Sequence, residues 1–446
     1  MENSMATRQV TRRSRWSWYF YDFGNSSYAA VILLAVYAQY FSNVVVGKVN
    51  GPTLWNYSVG AAAIIVAIIS PVLGTIADFS RAKKKFLVAF TLLSVLFTGL
   101  LFFVQAGDVF TGILFFVLAE IGYRASQVFY DALLVDVSTP ETIGNVSGQG
   151  WAMGMLGGIA CLLIVLVPIQ LTHSDPFMVR ISFIIAAVFY LLSALPMFFW
   201  VKQLSEPEKL PAGESTFTHA FKLLGATFKD VRKYREFIKY AVSYLIYNDG
   251  IMMLMDNAAL IGAILFGFKT QDLIILIIIL QVTGAAGAFL FGRISARKSS
   301  KEALLYSLLI LIVAVIGVLL INTQTFLTPT VAFYIIGGVA GFSLSGVQAV
   351  SRTMVSQLTP FEKTAEFYGF LSVAGRTSTF IGPVVFGSIY HSVSKSMLNN
   401  GASDALAQST GIYWAIGSIL VFLVVGLLLL QIVRRVTHKD PLKFEE

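Results

Sequence analysis

Twelve apolar stretches, each long enough to cross a lipid bilayer as a helix, follow one another along the 446 residues of this chain. A membrane-spanning helix needs roughly 20 apolar residues, and repeated stretches of that length require lipid as the solvent. Composition agrees, because only 13% of the residues are charged, whereas soluble domains carry about 25%. The sequence predicts an all-α membrane protein with twelve transmembrane helices at residues 18–41, 54–77, 86–105, 109–135, 146–171, 178–201, 237–267, 271–294, 302–322, 327–357, 366–394 and 410–434.

Cationic residues are distributed unevenly between the loops. Of the 32 lysines and arginines, 25 lie in tails and loops predicted to face one side of the membrane, and four lie on the opposite side. Because positively charged loops stay in the cytoplasm, this distribution predicts that both termini are cytoplasmic. The net charge of +8 then follows from topology, and we expect no nucleic-acid partner. The basic segment that ends at Arg15 has no apolar region typical of a cleavable signal peptide.

The two halves of the chain repeat a sequence pattern. Gly74 and Asp78, at the end of the second helix, match Gly292 and Ala296 at an offset of 218 residues, and matches around the fourth and tenth helices have offsets of 220 or 221. Two six-helix halves repeated in parallel are the architecture of the major facilitator fold, which holds its substrate near the membrane midplane. We therefore predict two pseudo-symmetric six-helix halves, at 1–201 and 237–446, joined by a cytoplasmic linker at 202–236.

The second part of this linker has apolar residues at spacings of three and four, which is typical of an amphipathic helix on a membrane surface. These residues are Phe217, Phe221, Leu224, Phe228 and Val231. A solvated basic linker is the alternative interpretation.

The loop between the second and third helices, GTIADFSRAKKK, resembles the signature loop of the major facilitator superfamily. Gly74 permits close helix approach, Asp78 can face the positive N-terminal end of another helix, and Arg81 can pair with an acid. The resemblance implies that this helix is the eleventh and that the acid is Asp131 or Asp136. We therefore predict a cytoplasmic gate; a helix cap beside positively charged membrane anchors is the alternative.

The repeat bears on the gate in two further ways. Ala296 stands where the second half would need its own aspartate. Only the first half is therefore expected to have a charged residue that holds the gate closed. Arg352 occupies the repeat position of Asp131 with opposite charge. The two residues are predicted to form a gate pair, with separate structural roles as the alternative.

Three further stretches resemble the vacuole effluxer-like family, a branch of the superfamily named for fungal autophagy-related proteins that release amino acids from the vacuole. They are WSWYFYDFGNSSY, EIGYRASQVFYDALLVDVS and GVQAVSRTMVSQLTPFEKTAEFYGFLSVAGRTSTFIGP. The resemblance implies a transporter and, for a bacterial member, the inner membrane. Glu120 stands where the family usually has an amide and Arg124 where it usually has an acid, so the charges of this chain depart from the family pattern at both positions.

Charged and polar residues inside predicted spans are candidate functional residues, because burying a charge in lipid costs at least about 2.5 kcal/mol. Glu120 and Arg124 are four residues apart and share a helix face with Gln127, so they predict either a cavity surface or an ion pair that only fixes packing. On the first helix, the candidates for the polar lining are Asp22, Asn25 and Tyr28.

The seventh helix carries Asn248, Asp249 and Asp256, and the two acids are two turns apart. Paired acids near the midplane suit proton coupling or binding of a cationic solute group. Arg376 in the eleventh helix could bind a carboxylate or phosphate.

These patterns together predict a secondary active transporter that works by alternating access and moves a small amphipathic or zwitterionic solute, amino acids first, with proton coupling. A lysolipid or other lipid-like substrate, or a receptor or scaffold on the same fold, are the alternatives. We expect membrane lipids as surroundings, a monomer as the working unit, no enzymatic activity and no cofactor. The four histidines show no metal-ligand spacing.

Overall fold

The computed structural model of the chain describes residues 10–47, 51–173, 175–204, 218, 221–223, 225, 234–268, 270–321 and 327–436. Within the helices, the side chains at 51–53, 56, 259, 260, 263, 270, 271, 273, 274, 373, 374, 376–380 and 383 lie outside that description. Most of the amphipathic helix predicted within 202–236 also lies outside the described residues.

Helices account for nearly all of the described chain, and the predicted all-α membrane fold is confirmed. Their bounds are α1 Arg12–Val45, α2 Gly51–Phe79, α3 Lys83–Leu100, α4 Val109–Ala132, α5 Ile143–Leu171, α6 Pro176–Trp200, α7 Arg235–Phe266, α8 Thr270–Arg297, α9 Ser300–Leu319, α10 Pro329–Leu358, α11 Thr364–Asn399 and α12 Asp404–Gln431. The largest differences from the predicted ends are six residues, at Arg12 instead of 18 and at Asp404 instead of 410.

Ten of these helices are long and apolar enough to cross a membrane, counted over the described residues alone. The other two, α7 and α11, both contain side chains outside the description. The chain is therefore a multi-pass membrane protein, and ten of the twelve predicted spans meet the criteria of length and composition.

Helix α1 is not a regular α-helix along its whole length. After Tyr28 the backbone is π-helical over Ala29–Ala35 and again over Phe41–Val45. Stretches of π-helix are rare and are frequently found at functional sites, because the extra residue in the turn redirects the side chains that follow. In α1 the first of them begins directly after the polar residues of the predicted lining.

The chain forms two compact units. Unit 1 contains α1 to α6 together with Val355–Val373, so it includes the first turns of α11. Glycines allow its helices to pack closely: a Cβ at Gly157 of α5 would lie 2.7 Å from Phe23 Cα of α1. In the same way, a Cβ at Gly122 of α4 would lie 3.0 Å from Ser94 Cα of α3. These contacts pack α5 against α1 and α4 against α3.

Unit 2 contains α7 to α9, α12 and the remaining parts of α10 and α11. Gly426 of α12 packs against Tyr247 of α7, since a Cβ there would lie 2.9 Å from Tyr247 Cα. The hydroxyl of Tyr247 shares a hydrogen bond of 2.8 Å with Ser351 Oγ of α10, and Tyr240 donates to the Ser351 carbonyl at 3.1 Å. Buried hydroxyl groups thus connect α7 and α10. The predicted division at 1–201, 202–236 and 237–446 stays a prediction.

Candidate functional site

Asp78, the penultimate residue of α2, caps the N-terminus of α11. Its Oδ1 accepts a hydrogen bond of 3.2 Å from the main-chain N–H of Ala365, and its Oδ2 accepts one of 2.8 Å from that of Glu366. Both N–H groups belong to the first turn of α11, where the helix leaves its donors unpaired and the helix dipole favours negative charge. The geometry predicted for Asp78 is therefore present in unit 1, while its role as a gate stays a prediction.

A buried lysine completes this contact. Lys83, the first residue of α3, is 0% exposed and lies 2.9 Å from Asp78 Oδ1. Its Nζ also donates a hydrogen bond of 2.5 Å to Thr364 Oγ1, at the start of α11. Sequence reasoning missed Lys83, because three consecutive lysines next to a helix are also what a positively charged membrane anchor looks like.

Glycine makes the close approach of α2 and α11 possible. A Cβ at Gly74 would lie 2.7 Å from the carbonyl carbon of Ala365 and would overlap its oxygen. Four residues beyond Ala365 along α11, a Cβ at Gly369 would lie 2.8 Å from Pro71 Cα. A side chain at either position would push the first turns of α11 away from α2.

Arg81 makes a different contact from the predicted one. Its Nη2 donates a hydrogen bond of 2.6 Å to the main-chain oxygen of Gln203, whereas an acid, Asp131 or Asp136, was expected. Asp136 Oδ1 accepts a hydrogen bond of 2.7 Å from the N–H of Leu204. Both side chains therefore hold the segment that follows α6, and Arg81 adopts a positive φ of 54° in doing so.

A second group of predicted residues lies together inside unit 1, on α1 and α4. Glu120 is 0% exposed and forms an ion pair with Arg124 one turn along α4. Tyr28 of α1 lies beside Glu120, and its ring stacks on Tyr123 with 4.5 Å between centroids. Gln127 donates a hydrogen bond of 3.0 Å to the Tyr123 hydroxyl. This arrangement buries two opposite charges and an aromatic stack within one polar patch.

Asn25 and Asp22 extend this polar patch along α1. Asn25 is 1% exposed, and neither of its two amide heavy atoms has a hydrogen-bond partner among the described residues. Asp22 is 7% exposed and lies against α5, where a Cβ at Gly154 would come within 3.1 Å of its carboxyl carbon. We refer to Asp22, Asn25, Tyr28, Glu120, Arg124 and Gln127 as the polar patch of unit 1.

The acids of α7 differ in their surroundings. Asn248 and Asp249 are both 1% exposed, and the main chain at Asp249 packs against α11, since a Cβ at Gly382 would lie 2.8 Å from the Asp249 carbonyl oxygen. Asp256 is exposed. The two acids share one face of α7 but lie about 10 Å apart along the helix axis, and of the two only Asp249 is buried.

Three candidate residues remain: Arg376, Arg352 and Asp131. The side chain of Arg376 lies outside the described residues. Arg352 of α10 is 6% exposed, Asp131 of α4 is half-buried, and their predicted pairing stays a prediction. No group of three or more histidine, cysteine or acidic side chains that could hold a metal ion occurs in the described part of the chain.

Comparison with known proteins identifies relatives of this chain. The family model for vacuole effluxer Atg22-like proteins matches residues 38–398. The chain is 27% identical over 434 residues to the uncharacterized MFS-type transporter YxiO of Bacillus subtilis, covering 95% of each chain. It is 26% identical over 266 residues to autophagy-related protein 22 of Yarrowia lipolytica, covering 55% of this chain and 45% of that protein.

Solved structures of major facilitator proteins share the fold. A bacterial homologue of the iron transporter ferroportin in an outward-facing state has a TM-score of 0.69 at 12% identity, covering 94% of this chain and 99% of that one. The proton:xylose symporter XylE has a TM-score of 0.67 at 13% identity, with 95% and 96% covered. At these identities the similarity establishes the major facilitator fold and not the substrate.

Proposed function

The chain belongs to the vacuole effluxer Atg22-like family of major facilitator transporters, and from that membership we propose that it is a secondary active transporter working by alternating access. Its solute is small and amphipathic or zwitterionic, with amino acids as the first candidates. Both termini face the cytoplasm of a bacterial cell, as the distribution of basic residues indicates.

The observation that carries this proposal is the ion pair of Glu120 and Arg124 in the polar patch of unit 1. Burying two charges among apolar helices is unfavourable unless their partners compensate for lost hydration. A zwitterionic solute carries the same two charges a few bonds apart, so it can replace each partner of the pair. Arg124 retains 17% side-chain exposure, so part of this side chain is accessible.

Of the two acids on α7, Asp249 is the better candidate for proton coupling. It is buried, near the middle of the helix, whereas Asp256 is exposed. A coupling acid must bind and release its proton as its surroundings change, and burial is what makes a carboxyl group sensitive to such a change.

A thermal-shift screen of the purified protein tests the proposal. Amino acids, peptides, lysolipids and nucleosides are compared at two pH values, with Glu120→Gln as the matched variant. We expect amino acids to raise the melting temperature of the wild-type protein, because a ligand that binds only the folded state stabilises it. The shift should fall in Glu120→Gln. Stabilisation by nucleosides alone, or equal shifts in both proteins, would contradict the assignment.

A lipid-like substrate is the second candidate, and one observation favours it. An apolar groove of about 670 Å³ lies in unit 2, lined by residues that include Thr283, Ala286, Ile310, Gly338 and Phe342. The groove is lined by residues of three helices that are long and apolar enough to cross a membrane, so it suits the alkyl chains of a lipid. Stabilisation by lysolipids, lost in a Gly338→Leu variant that fills the groove, would support this alternative.

A further inference from the structure

The amide of Asn25 is buried and accepts or donates no hydrogen bond within the described part of the chain. At 1% exposure, neither Oδ1 nor Nδ2 has a partner among the described residues. About 90% or more of buried polar groups in proteins are hydrogen-bonded, and an unpaired one destabilises the folded state. A leucine of nearly the same shape would remove that penalty. The chain therefore keeps at this position a group that needs an additional binding partner.

Two contacts between α1 and α4 place Asn25 within the polar patch. Trp18 Nε1 donates a hydrogen bond of 3.0 Å to the carbonyl of Tyr130, and Tyr28 stacks on Tyr123. The two helices are therefore antiparallel, and Asn25 lies between these contacts along α1. Glu120 lies on the other side of the aromatic stack. At a rise of 1.5 Å per residue, the levels of Asn25 and Glu120 are about 9 Å apart along the helix axes.

Glu120 also has capacity for a further hydrogen bond. One of its carboxylate oxygens is engaged by Arg124, while Oε2 is buried near the Tyr28 side chain and makes no hydrogen bond of normal length and angle among the described residues. A carboxylate oxygen is an acceptor only, so Oε2 suits an ammonium group. Asn25 and Glu120 thus provide two separate binding positions, one on each side of the aromatic stack, and a solute that reaches both must lie alongside the rings of Tyr28 and Tyr123.

The chemistry of an amide limits what can satisfy Asn25. Its side chain presents a donor and an acceptor next to each other in one plane. A carboxylate would satisfy only the donor, an ammonium group only the acceptor, and a hydrocarbon neither. A hydroxyl group or a water molecule carries its donor and its acceptor on a single oxygen, whereas Asn25 presents them on two neighbouring atoms. A carboxamide satisfies both, and it does so whichever way the Asn25 amide is turned, because its own donor and acceptor can turn with it.

We propose that Asn25 is a specificity-determining residue that binds a carboxamide of the solute, and that the solute is an amino acid with a carboxamide side chain. Glu120 Oε2 accepts from its ammonium group. The inference rests on the proposed transport of amino acids and narrows its substrate class. A site built to hydrogen-bond a polar group rejects analogues that lack it, because the buried partner is then left unpaired.

Equilibrium binding to purified protein in nanodiscs tests this proposal with three amino acids of the same shape: asparagine, leucine and aspartate. We expect the wild-type protein to bind asparagine about 10- to 100-fold more tightly than leucine, as expected for one unpaired buried polar group. Aspartate should also bind weakly, because its carboxylate faces the Asn25 oxygen. In Asn25→Leu the preference for asparagine over leucine should disappear, while Asn257→Leu, which replaces an amide bonded to its own helix at Met253, should keep it.

The melting temperature of the ligand-free variants separates binding from folding. Asn25→Leu removes an unpaired buried amide, so its melting temperature should equal or exceed that of the wild-type protein. A fall shared by Asn25→Leu and Asn25→Ala would show a structural role and overturn the proposal. Equal wild-type affinities for asparagine and leucine, or a preference that survives in Asn25→Leu, would overturn it and leave amino-acid transport intact. Binding of none of the three amino acids would contradict this inference and the proposed substrate class together.

Discussion

Lys83 and Asp78 form a buried ion pair whose two charges are shielded from water. Removing one partner of such a pair leaves the other charge uncompensated, which destabilises proteins by about 3–5 kcal/mol. We therefore expect Lys83→Met to lower the melting temperature strongly. Because Asp78 accepts hydrogen bonds from α11 as well, Asp78→Asn should weaken the attachment of that helix too. Thermal unfolding followed by tryptophan fluorescence measures both effects.

A double variant and an exposed lysine serve as controls for this prediction. Lys83→Met combined with Asp78→Asn leaves no unpaired charge, so it should be more stable than Lys83→Met alone. Lys85 is exposed, and Lys85→Met should unfold like the wild-type protein. Equal melting temperatures for Lys83→Met and Lys85→Met would show that the buried pair has no energetic importance.

Gly74 offers a second residue-level prediction with a control on the same helix. An alanine there would overlap the carbonyl of Ala365, whereas a Cβ at Gly60 would meet nothing within 4 Å. We expect Gly74→Ala to reduce stability by about 1–3 kcal/mol, as overpacking usually does. Gly60→Ala should be neutral or slightly stabilising, since alanine favours the helix. Equal stabilities of the two variants would contradict the close approach of α2 and α11.

The sequence predicted some of these residues and missed others for identifiable reasons. Gly74 and Asp78 were predictable because a glycine and an acid at fixed spacing suit a helix crossing and a helix N-terminus. Lys83 was not, because nothing in the sequence distinguishes a buried lysine from neighbouring surface lysines. Arg81 was assigned an acidic partner, but a main-chain carbonyl, which composition does not reveal, accepts its hydrogen bond.

At the level of helices, the length of each apolar stretch predicted the elements well. Every described helix end lies within six residues of its predicted position, because the membrane requires long apolar runs and polar residues end them. The π-helical stretches of α1 were not predicted, because they depend on local packing that hydrophobic periodicity does not report. The difference in exposure between Asp249 and Asp256 was missed for the same reason.

The difference in exposure between Asp249 and Asp256 provides a matched pair of variants on α7. If the buried Asp249 carries the coupling proton, Asp249→Asn should abolish uphill transport and leave solute exchange at equal concentrations intact, because exchange requires no net proton movement. Asp256→Asn should transport like the wild-type protein. Proteoliposomes assayed with and without a proton gradient measure both modes.

The other outcomes of this experiment have distinct meanings. Loss of both modes in Asp249→Asn, with weaker solute binding, would assign Asp249 to the solute instead. Uphill transport at the wild-type rate in Asp249→Asn would exclude it from coupling, and Glu120 would be the next acid to test.

At the level of the whole molecule, the unequal distribution of basic residues predicts the orientation in the membrane. Lys202 should face the cytoplasm and Lys395 the outside, and both side chains are exposed. Single cysteines at these positions, in a background with Cys161→Ser, are labelled with a membrane-impermeant reagent on intact cells. We expect rapid labelling of Lys395→Cys and none of Lys202→Cys until the membrane is opened. The reverse pattern would invert the topology.

The sequence repeat predicted the major facilitator fold, and the predicted division at 1–201, 202–236 and 237–446 stays a prediction. Division at the polar stretch 202–236 assigned all of α11 to the second half. In the structure, Val355–Val373 belongs to unit 1, because Asp78, Lys83 and Gly74 bind or closely approach the first turn of α11. These contacts join residues almost 300 positions apart, and a repeat in sequence carries no information about them.

Solute exchange in proteoliposomes tests the central claim, that this protein moves a small zwitterionic solute, most directly. Vesicles loaded with unlabelled asparagine are diluted into a trace of the labelled amino acid, and its accumulation inside is followed over time. We predict transient accumulation by the wild-type protein and a reduction of at least about tenfold in Glu120→Gln, whose ion pair with Arg124 is lost. Vesicles that accumulate no labelled amino acid at all, with protein shown to be folded and correctly inserted, would contradict the account.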